Sequence, residues 1–290
     1  MSAETILAPR RNHHMRLSRR LGSAASWTLM GLALLLLSII MVWILEVVFA
    51  RGWNAMSVSL FTTVTQGTGG GLLNAIEGTA VLSAGGLLLA VPFGMAAGIY
   101  ASEFRQSRWA NTILFLADVL VGVPSIVMGY FGYVTMVEWL GWNFSVAAGA
   151  IILGIICLPY ICRTTELALR QVPGELREAA YALGAGDRKV ILSVCVPAAL
   201  PGILTGILLS LAISVGETAP LLYTAGWSSY LWDGKLIHSP IGYLTYAIWT
   251  FINEPFASAN ALAYAAAFLV TGFVLAINIL SRFVLGRSHT

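Results

Sequence analysis

An all-α, polytopic integral membrane protein with six transmembrane helices is the fold class that the sequence predicts. Of the 290 residues, 58% are hydrophobic and only 10% charged, with a mean hydropathy of +0.82; a soluble domain carries about a quarter charged residues. Six apolar windows are long enough to cross about 30 Å of hydrocarbon. The basic residues gather in alternate connections between those windows.

The first window is Trp27 to Ala50, too long for the roughly 7–15-residue apolar core of a cleaved leader. The others are about Ala75–Ala101, Ala110–Val137, Ser145–Ile161, Ala198–Leu222 and Ala261–Val284. The chain then divides into a basic arm (1–26), a first span (27–50), an outer segment (51–74), a core of five further spans (75–284) and a tail (285–290). A polar loop over about 163–197 interrupts the core.

Six spans place both termini on one side. Fourteen of the sixteen Lys and Arg residues lie before the first span, between the second and third, between the fourth and fifth, or after the sixth; only Arg51 and Lys235 lie opposite. The positive-inside bias makes the termini and the polar loop cytoplasmic. A net charge of +3 is too small to suggest nucleic acid. Cys157, Cys162 and Cys195 form no CxxC pair and read as small core residues. The outer segment 223–260 is rich in aromatics, among them Trp227, Trp232 and Tyr246. It reads either as an interfacial belt or as a docking surface.

The polar loop contains "EAAYALGAGDRKVILSVCVPAALPGI", Glu178 to Ile203. Pro173 suits a first helical turn, and Glu175 and Glu178 suit the positive end of that helix. Leu176, Ala179, Ala180 and Leu183 share one face. Gly184 and Gly186 end the helix, Asp187 is placed to cap the next, and Pro197 and Pro201 are expected to break or bend the entry to the fifth span. So small an apolar face favours a protein groove over the membrane surface.

Glu178-Ala179-Ala180, Leu183-Gly184-Ala185, Ile191, Pro197 and Pro201-Gly202-Ile203 resemble the EAA motif of ABC-importer permeases. Four further stretches resemble the phosphate-importer (PstA-type) branch of that family. They are "GGGLLNAIEGTAVL" (Gly69–Leu82), "PFGMAAGIYASEF" (Pro92–Phe104), "GVPSIVMGYFG" (Gly122–Gly132) and "GETAPLLYTAG" (Gly216–Gly226). The resemblance covers about Gly69 to Arg282 and implies a MetI-like fold with Glu178, Ala179, Ala180, Leu183, Gly184 and Ala185 as the ATPase-coupling surface. It also implies a PstC-type second permease, a PstB-type ATPase dimer and a PstS-type phosphate-binding protein as partners. This chain would bind no cofactor: it has no G-x-x-x-x-G-K-[ST] loop, so ATP and Mg belong to the ATPase.

Phosphate calls for guanidinium groups or backbone amides with little competing negative charge. Arg163 and Glu166 lie one turn apart at the inner end of the fourth span. Either Arg163 snorkels and pairs with Glu166, or it lines the inner path with Glu166 holding it until substrate passes; the resemblance favours the path. Glu217, with Thr218, and Ser125, in the "GVPS" kink after Asp118, either line the path or serve helix packing. One departure concerns Ile213, where related permeases often have an Arg; either Arg163 and the partner permease supply the cation, or the substrate path differs.

Three rivals are distinguishable. A secondary transporter would show internal repeats, and none is evident. A membrane-embedded enzyme would cluster His or carboxylates, whereas His13, His14, His238 and His289 are scattered. A permease for another oxyanion (sulfate, molybdate or phosphonate) would have the same spans.

Overall fold

The structure, a computed structural model, describes residues 17–286. The expected basic arm before Leu17 and the last four residues of the tail, with Arg10, Arg11, Arg16, Arg287, His13, His14 and His289, lie outside the described residues. The chain divides at Ala50 into two units. Helix α1 (Leu17–Ala55) forms the first as far as Ala50, and its side chains from Trp27 to Glu46 are exposed, as befits a helix in lipid.

The second unit contains the short helix α2 (Val58–Thr62), a small hairpin of β1 (Thr65–Gln66) and β2 (Gly69–Gly70), and then the long helix α3 (Leu73–Glu103). Thr65 pairs with Gly70 across the hairpin, whose base is fixed by Asn74. The Asn74 carbonyl oxygen accepts from the Thr65 amide at 3.0 Å, and its amide donates to the Ser228 carbonyl at 2.8 Å. Helices α4 (Arg108–Gly122) and α5 (Ser125–Gly132) follow, the latter continuing as a π-helical segment to Trp139. Next come α6 (Val146–Arg170), α7 (Gly174–Ala182), α8 (Asp187–Val190), α9 (Val196–Gly216) and α10 (Ala219–Thr224). The unit closes with α11 (Leu244–Phe251) and α12 (Ala257–Gly286).

Among the described residues, five helices are long and apolar enough to cross a membrane, and a bent pair makes a sixth crossing if counted as one. The expected third span is therefore not continuous: α4 and the α5 segment meet at 98°. Pro124 lacks an amide hydrogen and drives Val123 into an extended conformation (ψ 125), which ends α4. The fourth span runs past Ile161 to Arg170, so Arg163 and Glu166 belong to the same helix as its lipid-crossing part. The fifth also differs from expectation. It runs continuously from Asp187 to Gly216 and stops at an extended Glu217 (ψ 135), before α10 restarts with Pro220 in its first turn. Pro197 and Pro201 do not separate the polar pair from this span. A π-helical segment (Ile191–Cys195) just before Pro197 absorbs the missing hydrogen bond instead.

The core of the unit is the parallel contact of α3 with α6, in which Gly86 meets Leu153 and Gly98 meets Thr165. Lipid tails are as apolar as leucine, so helices associate in membranes by close packing of small residues. A Cβ on Gly94 would lie 2.9 Å from Ile161 Cβ, and one on Gly98 would lie 2.5 Å from the Cys162 carbonyl oxygen. Helix α9 closes on α6 in the same manner: a Cβ on Gly206 would meet Thr164 Oγ1 at 1.8 Å. Cys157, Cys162 and Cys195 are free and buried.

Replacing Gly98 with Leu is expected to force α3 from α6 and to cost about 1–3 kcal/mol. A fall in the thermal midpoint of the detergent-solubilised protein would register it. Gly122→Ala, at a helix end with nothing within 4 Å of the new methyl, is the control and should cause no fall.

Candidate functional site

The candidate residues fall into three groups. At the inner end of α6, Arg163 reaches across to α4. Its Nε donates to Asp118 Oδ1 at 2.9 Å, its Nη2 meets Asp118 Oδ2, and Nη2 also donates to the Leu114 carbonyl at 3.3 Å. Glu166 does not hold Arg163, contrary to the pairing that both readings of the sequence expected. It is 1% exposed and pairs with Arg170, four residues further along. Helix chemistry accounts for the choice, because an acid four residues before a base is the favoured order and an acid following a base is not. Asp118 was the neighbour that spacing could not reveal, since it comes from another helix 45 residues away.

The second group gathers where the two broken helices meet. The Ser125 hydroxyl faces the Glu217 carboxylate. The Glu217 carbonyl accepts the Thr245 hydroxyl at 2.7 Å, and the Thr218 carbonyl accepts the Leu221 and Leu222 amides, each at 3.2 Å. The restarting helices pack directly on each other, since a Cβ on Gly129 would fall 2.4 Å from Pro220 Cα. Non-helical backbone at membrane depth is tolerated only where protein buries it or a cavity hydrates it. Ser125, Glu217 and Thr218 are all half-buried here. Among the described residues, no hydrogen bond or ion pair joins this group to Arg163.

The third group is α7 and the turn after it. Helix α7 buries none of its side chains fully. Of the expected stripe, Leu176, Ala179 and Leu183 point outward, Leu183 being 89% exposed, while Ala180 turns inward toward Val190 and Cys195. Glu178 is exposed on the same helix. Gly184 adopts φ +78 with open space around it. Its amide donates to the Tyr181 carbonyl at 2.9 Å and the Ala185 amide to the Ala180 carbonyl at 3.2 Å. This is a Schellman cap, closed by the packing of Ala180 and Ala185 in one cluster. Pro173 precedes the first helical residue rather than occupying it, and Gly186 takes the cap position expected of Asp187.

Sequence reading missed the tie on the other side of α7. Arg177 donates to both oxygens of Glu103, at 2.6 and 3.0 Å, and to the Leu169 carbonyl at 3.2 Å. Hydrogen bonding to Glu103 raises the Arg177 pKa above its ordinary value, so the guanidinium stays charged. On the opposite side of the protein, Asp233 organises a turn in the long aromatic loop. It accepts from the Lys235 amide at 3.0 Å and the Ser239 hydroxyl at 2.9 Å, and Trp232 Nε1 donates to the Lys235 carbonyl at 2.7 Å.

The family described as binding-protein-dependent transport system inner membrane component matches residues 90–288 of this chain. A protein named phosphate transport system permease protein PstA 2, from Mycobacterium bovis, is 43% identical over 276 residues. That match covers 95% of this chain and 91% of the relative. The phosphate transport system permease protein PstA of Haemophilus influenzae is 42% identical over 83% of this chain and 85% of its own. A solved structure titled as inward-facing conformations of the MetNI methionine ABC transporter aligns with a TM-score of 0.55 at 20% identity. It covers 73% of this chain and 94% of that one, which makes the fold MetI-like.

The Asp233 turn should respond to acid. The Lys235 amide, then the Lys235 side chain and the Ser239 hydroxyl, hold the Asp233 carboxyl down at about 2, below the ordinary value of about 3.9. A depressed carboxyl lends its support fully above the ordinary value and loses it as the pH falls through the lower one. Protection of the amides over residues 231–236, measured against their intrinsic exchange rates, is therefore expected to be steady from pH 7 to about 4 and to fall toward pH 2. Asp233→Ala should show the same loss of protection at pH 7.

Proposed function

Because the chain belongs to the family of binding-protein-dependent transport system inner membrane components, we propose that it is the PstA-type half of an importer that carries inorganic phosphate. It is a multi-pass membrane permease and not an enzyme, and its family works with an ATPase and a substrate-binding partner. The observation that carries the substrate is the similarity along nearly the whole chain to relatives named phosphate permeases. On this reading, the partners are a PstC-type permease, a PstB-type ATPase dimer that uses ATP and Mg, and a PstS-type phosphate-binding protein outside. Both termini are cytoplasmic, as the distribution of Lys and Arg supports.

Transport proceeds by alternating access. ATP binding closes the ATPase dimer around α7, the outward Leu176, Ala179 and Leu183 seat in its groove, and the rigid turn at Gly184 carries the motion inward. The substrate path runs past two polar stations. At the outer one, the Glu217–Ser125 contact and Thr218 steady the two breaks, whose released amides suit an oxyanion. At the inner one, Asp118 occupies the Arg163 guanidinium as an anion that phosphate displaces in passing. Ile213 brings no cation to the outer station, so Arg163 and the second permease supply the positive charge.

Uptake of radiolabelled phosphate into vesicles holding the complete importer tests the reading. Uptake should persist in an excess of sulfate, molybdate or phosphonate; efficient competition by one of them would assign that oxyanion instead. Arg163→Gln should lower uptake by at least about ten-fold, the scale of one charge-assisted hydrogen bond, with the complex still assembled. Unchanged uptake would return Arg163 to a merely interfacial charge. Gly184→Val places a β-branched residue at positive φ, a strain of about 1–2 kcal/mol. It is expected to let ATP hydrolysis proceed without uptake while membrane insertion stays intact.

A further inference from the structure

Helix α7 is nine residues long and has no fully buried side chain. Its apolar hold on the protein is confined to half-buried alanines and the cap that follows them. So small a contact releases little free energy on burial and leaves the helix free to pivot when a partner pulls on its outward face. Among the described residues, the side-chain hydrogen bonds from α7 to α3 and α6 are all made by Arg177. We propose that the Arg177–Glu103 ion pair is the link that transmits movement of α7 into the membrane, with Arg177 as a positioning residue and Glu103 as its anchor. The inference rests on the proposed reading of α7 as the ATPase contact.

The geometry suits a strut. A guanidinium bonded through two nitrogens to two carboxylate oxygens fixes orientation as well as distance, which a lysine ammonium does not. The pair is largely shielded, with Arg177 24% and Glu103 11% exposed, so it is screened less than a surface pair. Glu103 is the last residue of α3, and Leu169, whose carbonyl takes the third bond, is the next to last of α6. A cation is favoured at both sites because the last carbonyls of a helix are unbonded and its C-terminus is the negative end of the dipole. Arg177 thus grips the inner ends of the two helices that are packed most closely along their length. A displacement of α7 reaches both at once.

The test is a charge-swap cycle in the complete importer, reconstituted in vesicles. Arg177→Glu, Glu103→Arg, the double swap and Arg177→Lys are compared with the unaltered protein. Phosphate taken up per ATP hydrolysed and retention of the ATPase subunit are the readouts. Each single reversal is expected to keep the ATPase, because the outward stripe is untouched, while uptake per ATP falls about ten-fold. The double swap should recover the ratio to within about two-fold, and Arg177→Lys should fall between. Single reversals with an unaltered ratio would overturn the proposal. So would a double swap no better than the singles. Should a single reversal fail to assemble, the double swap must restore both assembly and ratio for the proposal to stand. An unaltered protein that retains no ATPase or takes up no phosphate would overturn the reading beneath, and this proposal with it. Normal coupling that is indifferent to the swaps would strike only the strut.

Discussion

The close approach of α3 to α6 is the constraint on which the rest of the unit depends. It exists because glycines such as Gly94 and Gly98 leave no room for a side chain between the two backbones. Every other functional element is attached to this pair. Helix α4 is held to α6 by the Arg163–Asp118 ion pair. Helix α9 lies on α6 at Gly206 and through the Cys157 thiol, which donates to the Ser210 carbonyl at 3.4 Å. Helix α7 is bonded to the ends of both helices through Arg177. In hydrocarbon, where unbonded backbone groups cost several kcal/mol each, such a braced pair lets two neighbouring spans be broken.

On the proposed function, those breaks and that brace divide the work of a permease. The irregular backbone at Val123–Pro124 and Glu217–Thr218 supplies polar groups at membrane depth without charged side chains exposed to lipid. The outward stripe of α7 is an exposed apolar surface too small to insert in a membrane. Between them lies the α3–α6 pair, stiff enough to turn displacement at one end into displacement at the other. Rigid-body movement of packed helices is the usual form of such a transition.

How much of this was legible in the sequence follows from the range of each interaction. Spans, their number and the polar helix-turn-helix depend on local composition, and the glycine at 184 on a local backbone requirement; all could be read. The place of the break in the third span was visible in Gly122-Val123-Pro124-Ser125, but its 98° angle was not, because it involves packing against a distant segment, such as Gly129 on Pro220. The Glu166–Arg170 pair was within reach, at four-residue spacing in the favoured order. The Arg163–Asp118 and Arg177–Glu103 pairs join residues 45 and 74 apart. Spacing carries no trace of such partners. Which face of α7 turns inward was likewise decided by its neighbours, chiefly Val190 and Cys195, and not by its own periodicity.

The central claim is that α7, α3 and α6 move as one body when the ATPase closes. Spin labels at Ala182 on α7 and at exposed Phe93 on α3 test it most directly, through pulsed-resonance distances in the complete importer with and without ATP. The distance between the two labels should stay constant to within about 2 Å, while the distance from Ala182 to a label on the second permease changes. A change between Ala182 and Phe93 of about one helical turn, roughly 5 Å, would mean that α7 moves independently of the bundle and would contradict the account.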